Sequence, residues 1–153
     1  MPAEGLQLER FLPYRLSVLT NTVSRALARR YDERFGLTIP QWRVVAVLGR
    51  ESELSASEVA QRTVMDKVTV SRAVASLLAD GRVLRETDPQ DRRRTLLRLS
   101  PAGRSIYRRI VPLARSYERS LLRALDRDER AQLDHLLTRL TARAHHLQDR
   151  GRS

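Results

Sequence analysis

The chain has 153 residues, with 29 Lys+Arg against 18 Asp+Glu, a formal net charge of +11 and no cysteine. This length points to one domain that buries a core without disulfide or metal staples. The missing thiol excludes thiol catalysis, zinc ribbons and iron–sulfur clusters. His135, His145 and His146 all fall near the C-terminus, which disfavours a His-based metal site or triad. No apolar run reaches about 18 residues, so no membrane span is expected. Glu4 and Glu9, with no apolar segment between the flanks, argue against a signal peptide and for a cytoplasmic protein. A pI near 11.4 favours a polyanionic partner, nucleic acid before anionic membrane. Lys67 is the only lysine. The basic excess is spread along the chain, so charge alone does not locate a binding surface.

Leu12, Leu16, Leu19, Val23, Leu27, Tyr31 and Phe35 recur at helical spacing, with Pro13 in the first turn and Gly36 past the end. Thr38 and Gln41 form a capping box for a helix expected to stop near Gly49. Ser55 and Glu58 form a second box, flanked by Leu54 and Val59 as a hydrophobic staple. The short helix behind it ends around Thr63, and Val64-Met65 turn tightly. Asp66 caps the next helix, Lys67 to about Ala79, whose apolar stripe is Val70, Val74, Leu77 and Leu78. Gly81 stands where a left-handed C-cap belongs.

Two short strands follow, 83–87 and 95–99, joined by the polar loop 88–94. Ser100-Pro101 opens a long helix carrying Pro112, which is expected to kink it. Asp126-Arg127-Asp128-Glu129 opens the last helix, expected to bury Leu133, Leu136, Leu137, Leu140, Ala144 and Leu147 and to fray from Asp149. Asp126 and Asp128 are explained by helix capping, so no catalytic residue, cofactor or metal is indicated.

Helix, tight turn, helix and hairpin make a winged helix-turn-helix. The fold class is therefore mainly α with a small β-hairpin wing and long terminal helices. In this arrangement the second helix enters the major groove. Its outer residues Lys67, Val68, Thr69, Ser71, Arg72 and Ser76 have suitable chemistry. Arg reads guanine, hydroxyls reach phosphate or base, and a Val methyl meets thymine. Alone, this face fits a solvated helix surface equally well. The loop presents Arg92, Arg93 and Arg94 to a minor groove, with Asp91 orienting or neutralising one of them.

The run Met65-Asp66-Lys67-Val68-Thr69-Val70-Ser71-Arg72, with Leu77, Gly81, Asp88, Asp91-Arg92-Arg93 and Leu99-Ser100-Pro101-Ala102-Gly103, resembles the MarR (multiple antibiotic resistance regulator) family. The order of elements matches over nearly the whole chain. Gln90 stands where that family usually has Arg. The resemblance implies a homodimeric repressor binding a pseudo-palindromic operator, with Arg93 as the minor-groove residue. The winged helix would span about 38–100, and the dimerisation helices about 8–35 and 101–149, within one domain over 1–153. Uncovered apolar stripes at both ends agree with a dimer. By position, the family's ligand cleft would use Ser17, Asn21, Trp42, Arg43, Tyr107 and Val111, for a small aromatic, phenolic or carboxylate-bearing effector, thioesters included. Without cysteine the peroxide-sensing branch is excluded. The competing reading is an architectural, nucleoid-type DNA binder with no effector, marked by a steep salt slope and little sequence preference.

Overall fold

A computed structural model describes residues 5–151; residues 1–4, Glu4 among them, and 152–153 lie outside it. The elements are a 3-10 turn Leu8–Arg10, α1 Leu12–Phe35, α2 Ile39–Arg50, α3 Ala56–Thr63, α4 Lys67–Ala79, β1 Val83–Thr87, β2 Thr95–Leu99, α5 Pro101–Leu122 and α6 Arg127–Arg150. No described helix is long and apolar enough to cross a membrane. Contacts divide the chain into two compact units, with the division between Leu113 and Ala114, just past Pro112, which lacks a backbone donor inside α5.

The first unit contains the core. Val44, Val45 and Leu48 of α2 pack with Val59 of α3, Val70 and Leu77 of α4, and Leu97 of β2. The helix starts follow the capping chemistry in the sequence. Thr38 accepts from the Gln41 amide and Gln41 from that of Thr38; Ser55 and Glu58 do the same. Leu54 and Val59, on either side of the second box, are both buried. β1 and β2 pair antiparallel in the register Val83↔Leu99 to Thr87↔Thr95. The sequence did not reveal a third contribution to this sheet: Leu54 forms a β-bridge with Leu97, so the loop before α3 joins the base of the hairpin.

α2 ends at Arg50, next to the expected stop near Gly49. A Cβ at Gly49 would stand 2.4 Å from the Tyr107 ring, so this glycine also permits close approach of α5. Gly81 does what its place in the sequence implies. Its φ is +69°. The Gly81 amide donates to the Leu78 carbonyl at 3.1 Å and the Arg82 amide to the Leu77 carbonyl at 2.9 Å, the two bonds of a Schellman motif.

In the second unit, the guanidinium of Arg130 donates to the carbonyls of Leu122 and Leu125, satisfying acceptors at the end of α5. α6 begins at the expected place, where Asp126 and Glu129 form a capping box, and remains helical past Asp149, to Arg150. It buries no residue within the chain. Leu133, Leu136, Leu137, Leu140 and Leu147 are 37–55% exposed, against the expected burial. On α1, Leu12, Leu16 and Leu19 are likewise 40–54% exposed. The helical period was correct in both cases, and both stripes are exposed in the single chain.

Candidate nucleic-acid interface

α4 is held by its buried stripe of Val70, Ala73, Val74 and Leu77. That fixes which residues face outward: Val68, Ser71, Arg72 and Ala75 are exposed at i, i+3, i+4 and i+7. Lys67 is exposed beside them, at the first position of the helix. Lys67, Ser71 and Arg72 make no ion pair or side-chain hydrogen bond among the described residues. Ala75 is the member that the sequence reading missed; continuing the step from Arg72 by three rather than four would have found it.

Two residues of the expected set are engaged within the chain. The Thr69 hydroxyl donates to Asp66 Oδ2 at 2.7 Å, and the Thr69 amide to Asp66 Oδ1 at 2.8 Å. Ser76 is half-buried, and its hydroxyl accepts from Gln41 Nε2 at 2.9 Å. It belongs to the α2–α4 contact and not to the exposed face.

The Asp66 carboxylate receives the amide and hydroxyl of Thr69, which hold its pKa below the usual carboxylate value. Because the folded value is depressed, this cap stabilises the fold above the unfolded carboxylate pKa of about 3.9. The contribution is lost as pH falls through the lower folded value. Asp66→Asn, which keeps an N-cap acceptor, is expected to lose less stability than the parent between roughly pH 5 and pH 2. Urea midpoints across that range check this; parallel profiles would show that Asp66 does not titrate as a cap.

The wing loop is organised by its two aspartates. Asp88 Oδ1 accepts from the Gln90 amide at 2.9 Å and Asp91 Oδ1 from the Arg93 amide at 3.1 Å. Asp91 therefore shapes the backbone beneath Arg93 and, among the described residues, pairs with no arginine side chain. Arg92 and Arg93 are exposed and unpaired among the described residues. Arg94 differs: its guanidinium pairs with Glu58 of α3, which separates it from the other two.

An exposed helix face carrying Lys67, Ser71 and Arg72, with two free wing arginines on the same winged helix, is the geometry of a duplex-binding surface. The family model described as MarR family matches residues 35–94, from the end of α1 to the end of the wing loop. A probable transcriptional regulator from Pseudomonas aeruginosa, known from its crystal structure, is 30% identical. It covers 88% of this chain and 99% of that one, with a TM-score of 0.73. The chain belongs to the MarR family of winged-helix transcriptional regulators.

This MarR-family chain is also similar to the homoprotocatechuate degradative operon repressor of Escherichia coli, 26% identical over 72% of this chain and 74% of that protein. The Streptomyces coelicolor PcaV transcriptional regulator, solved in complex with its natural ligand, is 26% identical. It covers 93% of this chain and 99% of that one, with a TM-score of 0.77.

The six residues expected to line a ligand cleft in this MarR-family protein sit on α1, α2 and α5. Asn21 lies with Ser24, Arg25, Ala28 and Ile39 along a groove between α1 and α2. Ser17 is exposed, and its hydroxyl donates to the Pro13 carbonyl at 3.0 Å. Trp42 packs on Tyr31, ring centroids 5.0 Å apart and planes at 47°. Tyr107 lies against Gly49 instead, seven residues or roughly 10 Å further along α2. Arg43 and Val111 are half-buried. The sequence reading overlooked Tyr31, which is fully buried. Its hydroxyl and Trp42 Nε1 are buried without hydrogen-bond partners among the described residues. Burial raises the Tyr31 pKa, and nearby Arg30 opposes the shift. In the sequence Tyr31 reads as one more member of an apolar stripe, so no local signal distinguished it.

Proposed function

We propose that this MarR-family chain is a sequence-specific, homodimeric DNA-binding repressor of the cytoplasm. The observation that carries the reading is the exposed Lys67–Val68–Ser71–Arg72 face next to the free Arg92 and Arg93 of the wing. Residues of about 38–100 are the DNA-binding part of one functional domain; about 8–35 and 101–149 hold two copies together. Their uncovered leucines support that division. A two-fold dimer places its α4 helices about 34–36 Å apart, on half-sites one helical turn apart in a pseudo-palindrome. Ser71, Arg72 and Val68 meet base edges, while Lys67, Arg92 and Arg93 supply phosphate and minor-groove contacts.

Release by a small aromatic or carboxylate-bearing effector is the second part of the proposal. Two relatives support it: one represses an aromatic-degradation operon and another was solved with its natural ligand. The Tyr31 hydroxyl and Trp42 Nε1, buried without hydrogen-bond partners among the described residues, are the candidate polar contacts for such a ligand, which would have to open this packing to reach them.

The test separates Arg72 from Arg93, using a duplex selected from a randomised pool. Arg72→Ala is expected to cost roughly 1–3 kcal/mol and to relax preference at one position. Arg93→Ala is expected to weaken binding to all sequences and to lower the salt slope by about one. Equal, sequence-independent losses from both would leave Arg72 as a phosphate contact and favour the architectural reading.

A further inference from the structure

The wing is secured at the middle of β2 by backbone. The Leu54 amide donates to the Leu97 carbonyl at 3.2 Å, and the Leu97 amide to that of Leu54 at 2.8 Å. The loop end has a separate restraint, made of side chains. Arg94 pairs with Glu58 on the first turn of α3. Glu58 Oε1 also accepts from the Ser55 hydroxyl at 3.0 Å, and Glu58 Oε2 lies 4.0 Å from Arg62. Arg62 in turn pairs with Glu51 just beyond α2. A chain of alternating charge thus runs from the wing across α3 to the end of α2.

Arg94 is well placed to transmit this restraint. Its amide donates to the Asp91 carbonyl and its carbonyl accepts from the Asp88 amide, both at 2.9 Å. Both bonds close the loop that carries Arg92 and Arg93. Holding the Arg94 side chain against α3 therefore holds the backbone beneath Arg93. The pair is partly exposed, at 41% for Arg94 and 27% for Glu58, so its value as plain stability is small. Its consequence is geometric.

We propose that Glu58 is the positioning residue of the wing, bracing Arg94 against α3 so that Arg92 and Arg93 alone project toward the duplex. This rests on the reading that the wing contacts DNA. It assigns Arg94 to the brace and removes it from the expected set of contacts.

The test uses the full-length chain, the selected duplex and Glu58→Gln. That change keeps a residue competent for the capping box and removes the charge that holds Arg94. Amide hydrogen exchange at residues 90–94 is expected to speed up, while exchange in α4 and α5 stays as in the parent. The affinity lost on Arg93→Ala is expected to shrink by a factor of about three in the Glu58→Gln background, because an unbraced wing presents Arg93 poorly. Arg94→Gln is expected to reproduce the Glu58→Gln effect and to add nothing to it in the double variant; a further fall of about one in the salt slope when Arg94→Gln is added to Glu58→Gln would make Arg94 a phosphate contact and overturn the proposal. Unchanged exchange in the loop overturns it, as does an undiminished Arg93 effect once the loop has loosened. If the parent chain fails to bind the duplex, the proposed function fails, and the exchange measurement still decides whether the brace exists.

Discussion

Gly103→Ala is expected to destabilise the chain by about 3 kcal/mol or more, at the upper end of what overpacking produces. A Cβ at this position would lie 2.0 Å from the Arg82 carbonyl oxygen and 3.0 Å from its carbonyl carbon. Both obstacles are backbone, so no rotamer change relieves them. The surrounding chain is also fixed. The Ser100 amide donates to that same Arg82 carbonyl at 3.0 Å. The Ser100 hydroxyl donates to the Gly81 carbonyl at 2.6 Å and accepts from the Gly103 amide at 3.0 Å. Ser100 itself is buried. The first turn of α5 is thereby locked onto the turn that leaves α4 and starts the wing. Gly49→Ala is the internal comparison, because its obstacle is the Tyr107 ring, which can move. It should cost less, about 1–3 kcal/mol. Urea unfolding of both variants checks the order; a Gly103→Ala chain within about 0.5 kcal/mol of the parent would show that α5 is not held this closely.

Removing residues 1–24 is expected to leave aggregated or unfolded protein. The cut deletes the half of α1 bearing the exposed Leu12, Leu16 and Leu19, which the proposed dimer requires. Fully burying a leucine is worth about 1.5–3 kcal/mol, and eight of them on α1 and α6 stand 37–55% exposed in the single chain. The full-length protein is expected to sediment as a dimer. A milder variant, Leu136→Glu with Leu140→Glu, places charges on the α6 stripe while leaving its capping box intact. It is expected to raise the dimer dissociation constant by at least about a hundredfold, two buried leucines being worth that much or more. A folded monomer from the truncation that still binds duplex DNA would remove the dimer from the proposed function.

Local chemistry was fully legible in the sequence. The capping pairs Thr38–Gln41 and Ser55–Glu58 marked helix starts that the structure reproduces, because each motif needs only residues three apart. The strands 83–87 and 95–99 and the helix 67–79 were equally clear, since alternation and a four-residue stripe are local patterns. With those elements in place, the winged helix and the exposed Lys67, Val68, Ser71 and Arg72 follow directly. Tertiary structure decided whatever depends on a distant neighbour. Gly49 reads only as a helix end until Tyr107 is seen against it. Ser76 resembles an outward hydroxyl until Gln41 reaches it. Arg94 matches Arg92 and Arg93 in type, and only Glu58, 36 positions earlier in the chain, sets it apart. Tyr31 and Trp42 share a ring contact that no periodicity encodes. A sequence pattern records which side of an element is apolar or charged; which partner meets that side is fixed only when the chain folds.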